Sequence, residues 1–264
     1  MARIVLFGIL LGLAGMECKV MAEDNKPMGR PGIILLHGAG LGSHIWEKVI
    51  PMLNLPSLAI DLPGRGGEPA STSAMRIQDL AAFAVQKINK SAFDRVILAA
   101  HSVSGGLALK IASLMPGKVI SIVFIASGIP ESGHSYIDSL PFISRTMIRV
   151  LSWLKPNGMK APESVIRTAL CNDLDQADAD KIVAKMVPEH PSLFIDEVEW
   201  SQPARSVYVL LSQDKSDVSP QLQGELASRL QNKRLVTIQS GHLAMLSHPS
   251  EIAEILNFEA NSVR

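Results

Sequence analysis

The chain has 264 residues, nearly half of them apolar, enough for one large domain with a sizeable core and room for a small insertion. Its 25 basic and 25 acidic side chains balance and form no basic stripe, which argues against nucleic acid as a main partner. Two cysteines, Cys18 and Cys171, cannot build a disulfide framework, and neither has His or Cys neighbours at metal-ligand spacing.

At the N-terminus Arg3 precedes an apolar run from Ile4 to Met16, followed by Val20-Met21-Ala22. The run is too short to span a membrane but suits the core of a signal peptide, so residues 1–22 are expected to be a cleaved or anchoring signal. Export to the periplasm or the medium would follow. An unstructured leader on a cytoplasmic protein is the plainer reading. No other membrane association is expected.

The folded domain begins near residue 30. Gly32 to Leu36 is a continuous apolar run, as a strand covered on both faces should be, and it ends in His37-Gly38-Ala39-Gly40. Ser57 to Ile60 is a second strand, closed by the turn cluster Asp61-Leu62-Pro63-Gly64. Ile77, Leu80, Ala81, Ala84, Val85 and Ile88 fall on one helical face. A strand over Arg95 to Ala100, a helix over Gly105 to Leu114 and a strand over Val119 to Ile125 continue the alternation. Strand and helix in turn predict an α/β fold with a doubly wound, mostly parallel sheet.

The alternation stops after Gly128. Residues 129–203 are rich in Pro, Ser, Asp and Glu, with helical patches at Ile143–Leu154, Pro162–Cys171 and Ala177–Met186. This stretch is expected to be a helical lid inserted between sheet strands, dividing the core into 30–128 and 204–264. Ser206 to Leu211 and Arg234 to Gln239 then read as strands, Gln221 to Leu230 and Pro249 to Phe258 as helices.

Val96 to Gly106 supplies a strand, a serine and a helix start, which is what nucleophilic acyl transfer requires of a sharp strand-to-helix turn. Ser102 is flanked at two residues by Ala100 and Ser104, both small enough for such a crowded turn. Ser104, flanked by Ser102 and Gly106, offers a second frame, but Ser102 follows the strand directly. A hydroxyl needs a base, and His242, just past the last strand, is the candidate. His37 sits at the glycine loop, His101 beside the serine, and His44, His134, His190 and His248 fit the base role less well. The acid that orients the imidazole should follow Ser206–Leu211, where Asp214 and Asp217 both stand; Asp214 is favoured on reach from the strand end. Backbone donors for an oxyanion would be Val103 and Ala39, with Gly38 letting the backbone approach.

Taken together, His37-Gly38-Ala39, Asp61-Leu62-Pro63-Gly64, His101-Ser102-Val103-Ser104-Gly105 and Gly241-His242 through Pro249 resemble the α/β-hydrolase superfamily. Within it they are most similar to the branch of methylesterases and hydroxynitrile lyases. The resemblance implies an esterase with Ser102, His242 and Asp214 as its triad, acting on a small ester or lactone without a metal or organic cofactor. Tyr208 to Asp214 matches the acid-bearing segment of that branch, but two extra residues before Pro220 keep Asp217 in play. The lyases carry Thr and Lys where this chain has Gly38 and Leu243, which speaks against lyase chemistry. A slow or non-catalytic ligand binder on the same fold is the other reading left open.

Overall fold

The computed structural model describes residues 29–70 and 75–262, so the expected signal segment lies outside the described residues. Its centre is a six-stranded sheet built from β1 (Pro31–Leu36), β2 (Ser57–Ile60), β3 (Arg95–His101), β4 (Val119–Ile125), β7 (Ser206–Leu211) and β8 (Lys233–Ile238). The spatial order is β2-β1-β3-β4-β7-β8, with every pair parallel. Two short strands of the inserted segment, β5 (His134–Ser135) and β6 (Glu197–Val198), form a separate antiparallel ribbon.

The apolar runs are continuous because both sheet faces are covered. On one face Ile34, Leu36, Leu98, Ala100, Ile122 and Phe124 pack against α1 (Ile77–Lys90) and α2 (Ser104–Leu114). On the other, Ile33, Leu35, Ile97, Ala99, Val123 and Ile125 pack with Trp46 and with the C-terminal helix Pro249–Ser262. The helical face read from the sequence on α1 is buried at Ile77, Leu80, Ala81, Ala84 and Ile88, while Val85 is only half-buried.

Between β4 and β7 the chain is mainly helical. α3 (Phe142–Leu154) and α4 (Gln176–Lys185) fall within two residues of the expected patches. The patch at Pro162–Cys171 is a short turn, Glu163–Val165, running into a π-helical turn, Ile166–Leu170, rather than one regular helix. α4 starts cleanly because the Asp175 carboxylate accepts the Asp178 amide at 2.8 Å. The segment is tied to the core by ion pairs, Lys48 to Asp178 at 2.7 Å, Arg65 to Glu189 at 2.6 Å and Arg76 to Asp196 at 2.7 Å. In all three the insertion supplies the acid.

Candidate active site

Parallel sheets present their ligand sites beyond the carboxyl ends of the strands. Here the loops that follow β1, β3, β7 and β8 meet there. Ser102 directly follows β3 and has φ +56°, a left-handed conformation that a serine adopts only when its surroundings enforce it. The enforcing contacts are its amide to the Ile125 carbonyl at 3.1 Å and its carbonyl to the Gly128 amide at 2.9 Å. α2 starts two residues later, and Gly105 is pressed so closely on the next loop that a Cβ there would stand 2.2 Å from the Gly128 carbonyl oxygen.

His242 Nε2 lies 3.1 Å from Ser102 Oγ. His242 Nδ1 lies 2.7 Å from Asp214 Oδ2, with both side chains buried. A carboxylate only accepts, so Nδ1 carries the proton and the Nε2 lone pair faces the serine hydroxyl. Burial pushes the Asp214 carboxyl up, but the facing His242 and the hydrogen bonds from His242 and Ser216 outweigh it and hold it below the usual carboxylate range. Asp217 is exposed and is not hydrogen-bonded to His242.

Three polar groups that the sequence reading did not single out complete this corner. The Ser216 amide donates to Asp214 Oδ1 at 2.8 Å, and its hydroxyl lies 3.2 Å from His242 Nδ1. Gln223, fully buried, donates from Nε2 to Asp214 Oδ2 at 2.9 Å and to the Val218 carbonyl at 2.8 Å, while its Oε1 accepts the Leu211 amide at 2.8 Å. The signal for Gln223 was present: it shares the buried face of α5 (Pro220–Ser228) with Leu226 and Ala227 at helical spacing.

Ser104 is fully buried, and its hydroxyl donates to the His37 carbonyl at 2.5 Å, tying the serine turn to the loop after β1. His101 is also buried. Its Nε2 donates to the His242 carbonyl at 2.9 Å, and the two rings sit 4.6 Å apart. Burial first, then His242, holds His101 well below its ordinary pKa, so it is neutral. Gly38 is required by this crowding, since a Cβ would meet His101 Nδ1 at 2.8 Å and Ser102 Cβ at 2.9 Å. Among the described residues neither the Ala39 nor the Val103 amide donates to a protein acceptor. His44, His134, His190 and His248 make no hydrogen bond to Ser102 or Asp214 among the described residues.

Among the described residues no group of three or more His, Cys, Asp or Glu side chains is arranged to hold a metal ion, and no helix is long and apolar enough to cross a membrane. Cys171 is buried, and burial pushes its thiol up to about 11, so it is an inert thiol at neutral pH.

A doubly wound sheet with a serine on a left-handed turn, a histidine and a carboxylate defines a class, and comparison with known proteins names it. Residues 33–255 match the model of the Alpha/beta hydrolase family, and the chain belongs to that family. It is 26% identical over 257 residues to the pimeloyl-[acyl-carrier protein] methyl ester esterase of Aromatoleum aromaticum, covering 87% of this chain and 98% of that protein. A 102-residue stretch is 31% identical to the biotin biosynthesis bifunctional protein BioHC of Cellvibrio japonicus; it covers 38% of this chain and only 19% of that longer protein. The fold is similar to an extracellular α/β-hydrolase from a Paenibacillus species, described as sharing homology with tobacco salicylic acid binding protein 2. That match has a TM-score of 0.75 at 18% identity and covers 85% of this chain and 97% of the other.

Proposed function

We propose that the chain is a serine hydrolase that cleaves a small carboxylic ester through an acyl-enzyme. The observation that carries this reading is the hydrogen-bonded line from Ser102 Oγ through His242 to Asp214, at 3.1 and 2.7 Å. In the first half-reaction Ser102 Oγ attacks the ester carbonyl carbon as His242 Nε2 takes the hydroxyl proton. The carbonyl oxygen becomes an oxyanion, for which the Ala39 and Val103 amides are the candidate donors. Collapse breaks the bond to the alcohol oxygen, and the imidazolium returns its proton to the departing alcohol. Water then repeats the sequence on the acyl-serine and releases the acid. Asp214 holds the productive tautomer and balances the imidazolium charge in both halves.

The methyl ester named for the Aromatoleum relative supports a small alcohol group, and the apolar Leu243 beside His242 supports hydrolysis over cyanohydrin cleavage. The test is covalent labelling with a fluorophosphonate, together with turnover of short-acyl p-nitrophenyl esters. The parent protein is expected to label and to show a burst, and Ser102→Ala to do neither. Equal labelling of Ser102→Ala sinks the proposal. A labelled parent with neither burst nor steady-state turnover on any ester would mark a binding protein, and cyanide release from a cyanohydrin a lyase.

A further inference from the structure

Two carboxylates of the inserted segment each take the backbone N–H of a residue next to the site. Asp173 lies between the π-helical turn and α4. Its Oδ2 accepts the Gly241 amide at 2.6 Å and the Ser247 hydroxyl at 2.8 Å, and Gly241 immediately precedes His242. The neighbouring Asn172 donates from Nδ2 to the Gln213 carbonyl at 2.9 Å, and Gln213 immediately precedes Asp214. The contact is so close that a Cβ on Gly241 would stand 2.4 Å from Asn172 Oδ1 and 2.5 Å from Asp173 Oδ1.

On the opposite side Glu189, 2% exposed, accepts the Gly40 amide on Oε2 at 2.8 Å, and Gly40 immediately follows Ala39. Glu189 Oε1 accepts the His190 amide at 2.8 Å and pairs with Arg65 at 2.6 Å. Gly40 has φ +68°, its carbonyl accepts the Val187 amide at 3.0 Å, and a Cβ on it would stand 2.8 Å from the Val187 oxygen.

Both loops lie beyond the strand ends, where backbone bonds are sparse: the Ser240 carbonyl accepts the Gln213 amide at 3.0 Å and the Gly38 carbonyl accepts the Leu41 amide at 3.2 Å, while the Gly241 and Gly40 amides are held by the two carboxylates. A bond from a backbone N–H to a carboxylate is among the stronger constraints available there. We propose that Asp173 and Glu189 are positioning residues: the inserted segment completes the site by holding the His242 loop from one side and the Ala39 loop from the other. Neither acid touches substrate. The inference rests on the reading that Ser102, His242 and the Ala39 amide carry ester hydrolysis.

The experiment compares kcat and KM for a short p-nitrophenyl ester, per mole of folded monodisperse protein, across paired substitutions. A misplacement of about 1 Å costs roughly 100-fold, so Asp173→Ala is expected to lower kcat by roughly 10- to 100-fold with KM within about threefold. Asp173→Asn keeps an oxygen for the Gly241 amide and is expected to restore kcat to within about threefold of the parent. Glu189 is tested in an Arg65→Met background, so that no unpaired guanidinium confuses the result. There Glu189→Gln keeps the Gly40 acceptor and Glu189→Leu removes it; the first is expected to exceed the second in kcat by about tenfold or more.

A fold-stabilising tether without a positioning role would lower the melting temperature of Asp173→Ala and Glu189→Leu and leave their kcat near parental, which overturns the proposal. Equal losses for Asn and Ala at position 173, or for Gln and Leu at position 189, overturn it as well. Activity surviving in Ser102→Ala removes the hydrolase reading itself, whereas an inactive Ser102→Ala beside fully active Asp173→Ala and Glu189→Leu removes only the positioning role.

Discussion

Replacing Asp214 by Asn sets two hydrogen-bonding demands against each other. Asp214 Oδ2 accepts from His242 Nδ1 at 2.7 Å and Gln223 Nε2 at 2.9 Å, and Oδ1 accepts the Ser216 amide at 2.8 Å. An amide offers one acceptor and one donor, so one face must be wrong. If the NH2 replaces Oδ2 it confronts the Gln223 amide, which cannot turn over because its own Oε1 is bound to the Leu211 amide at 2.8 Å in a fully buried position. If the NH2 replaces Oδ1 it confronts the amide of Ser216, a half-buried residue, and leaves the Gln223 and His242 bonds intact. The second orientation is therefore expected, at a stability cost of about 1–2 kcal/mol for one unmet donor. It keeps the His242 tautomer and removes only the negative charge facing the imidazolium. Taking one partner from a buried ion pair costs roughly 3–5 kcal/mol, which at about 1.4 kcal/mol per decade is a fall in kcat of roughly 10²- to 10⁴-fold. KM should stay within about twofold, since Asp214 contacts no substrate in this reading. The assay is steady-state hydrolysis of p-nitrophenyl acetate, with the fold checked by near-ultraviolet circular dichroism. Retention of more than a tenth of the parental kcat by a folded Asp214→Asn refutes the reasoning, and an equal or larger loss in Asp217→Asn would move the acid to that residue.

Two further outcomes follow from the packing around the site. Gly38→Ala puts a Cβ within 2.8 Å of His101 Nδ1 and 2.9 Å of Ser102 Cβ. It should destabilise the protein by about 1–3 kcal/mol, as overpacking does, and displace the serine enough to lower kcat by roughly 100-fold; a lower melting temperature with unchanged kcat would disprove the second part. His37 is buried, and burial first, then Arg65, holds it down from an ordinary 6.5 to about 4. Above pH 6.5 both folded and unfolded chains carry it neutral; as pH falls below 6.5 the unfolded chain binds a proton that the folded chain refuses until about pH 4. Stability is therefore lost on acidification through that window, by about 2 kcal/mol between pH 7 and pH 5 from this residue. Urea midpoints at the two pH values should show His37→Gln losing less than the parent by about that amount, and equal losses would count against it.

The strands were legible because each is a short apolar run buried on both faces, and the order serine, acid, histidine followed from where the turns fall between them. Asp214 and Asp217 could not be separated by counting residues from β7, because the deciding quantity is which carboxyl lies 2.7 Å from His242 Nδ1. That depends on the Ser216 amide and Gln223 turning Asp214 inward, and only Gln223 left a trace, in its place on the buried face of α5. The π-helical turn at Ile166–Leu170 carries the same apolar spacing over one turn as an α-helix would, so the pattern there fixed helicity but not its pitch.

The glycines carry the sharpest lesson about what one sequence can hold. A crowded serine turn needs small residues at its two flanking positions, and Ala100 and Ser104 meet that need. The structure shows close approaches elsewhere as well: Gly105 against the Gly128 carbonyl, Gly38 against His101 and Ser102, and Gly241 against Asn172 and Asp173. Ser104 instead uses its hydroxyl on the His37 carbonyl, a bond that a glycine in its place could not make. Substituting a glycine for Ser104 should loosen the turn rather than relax it. Ser104 adds a constraint, because it bonds across 67 positions of sequence to the loop that carries Gly38 and Ala39. The local motif is legible from the chain alone; the contacts that make it rigid come from segments far away in sequence, and only the fold brings them together.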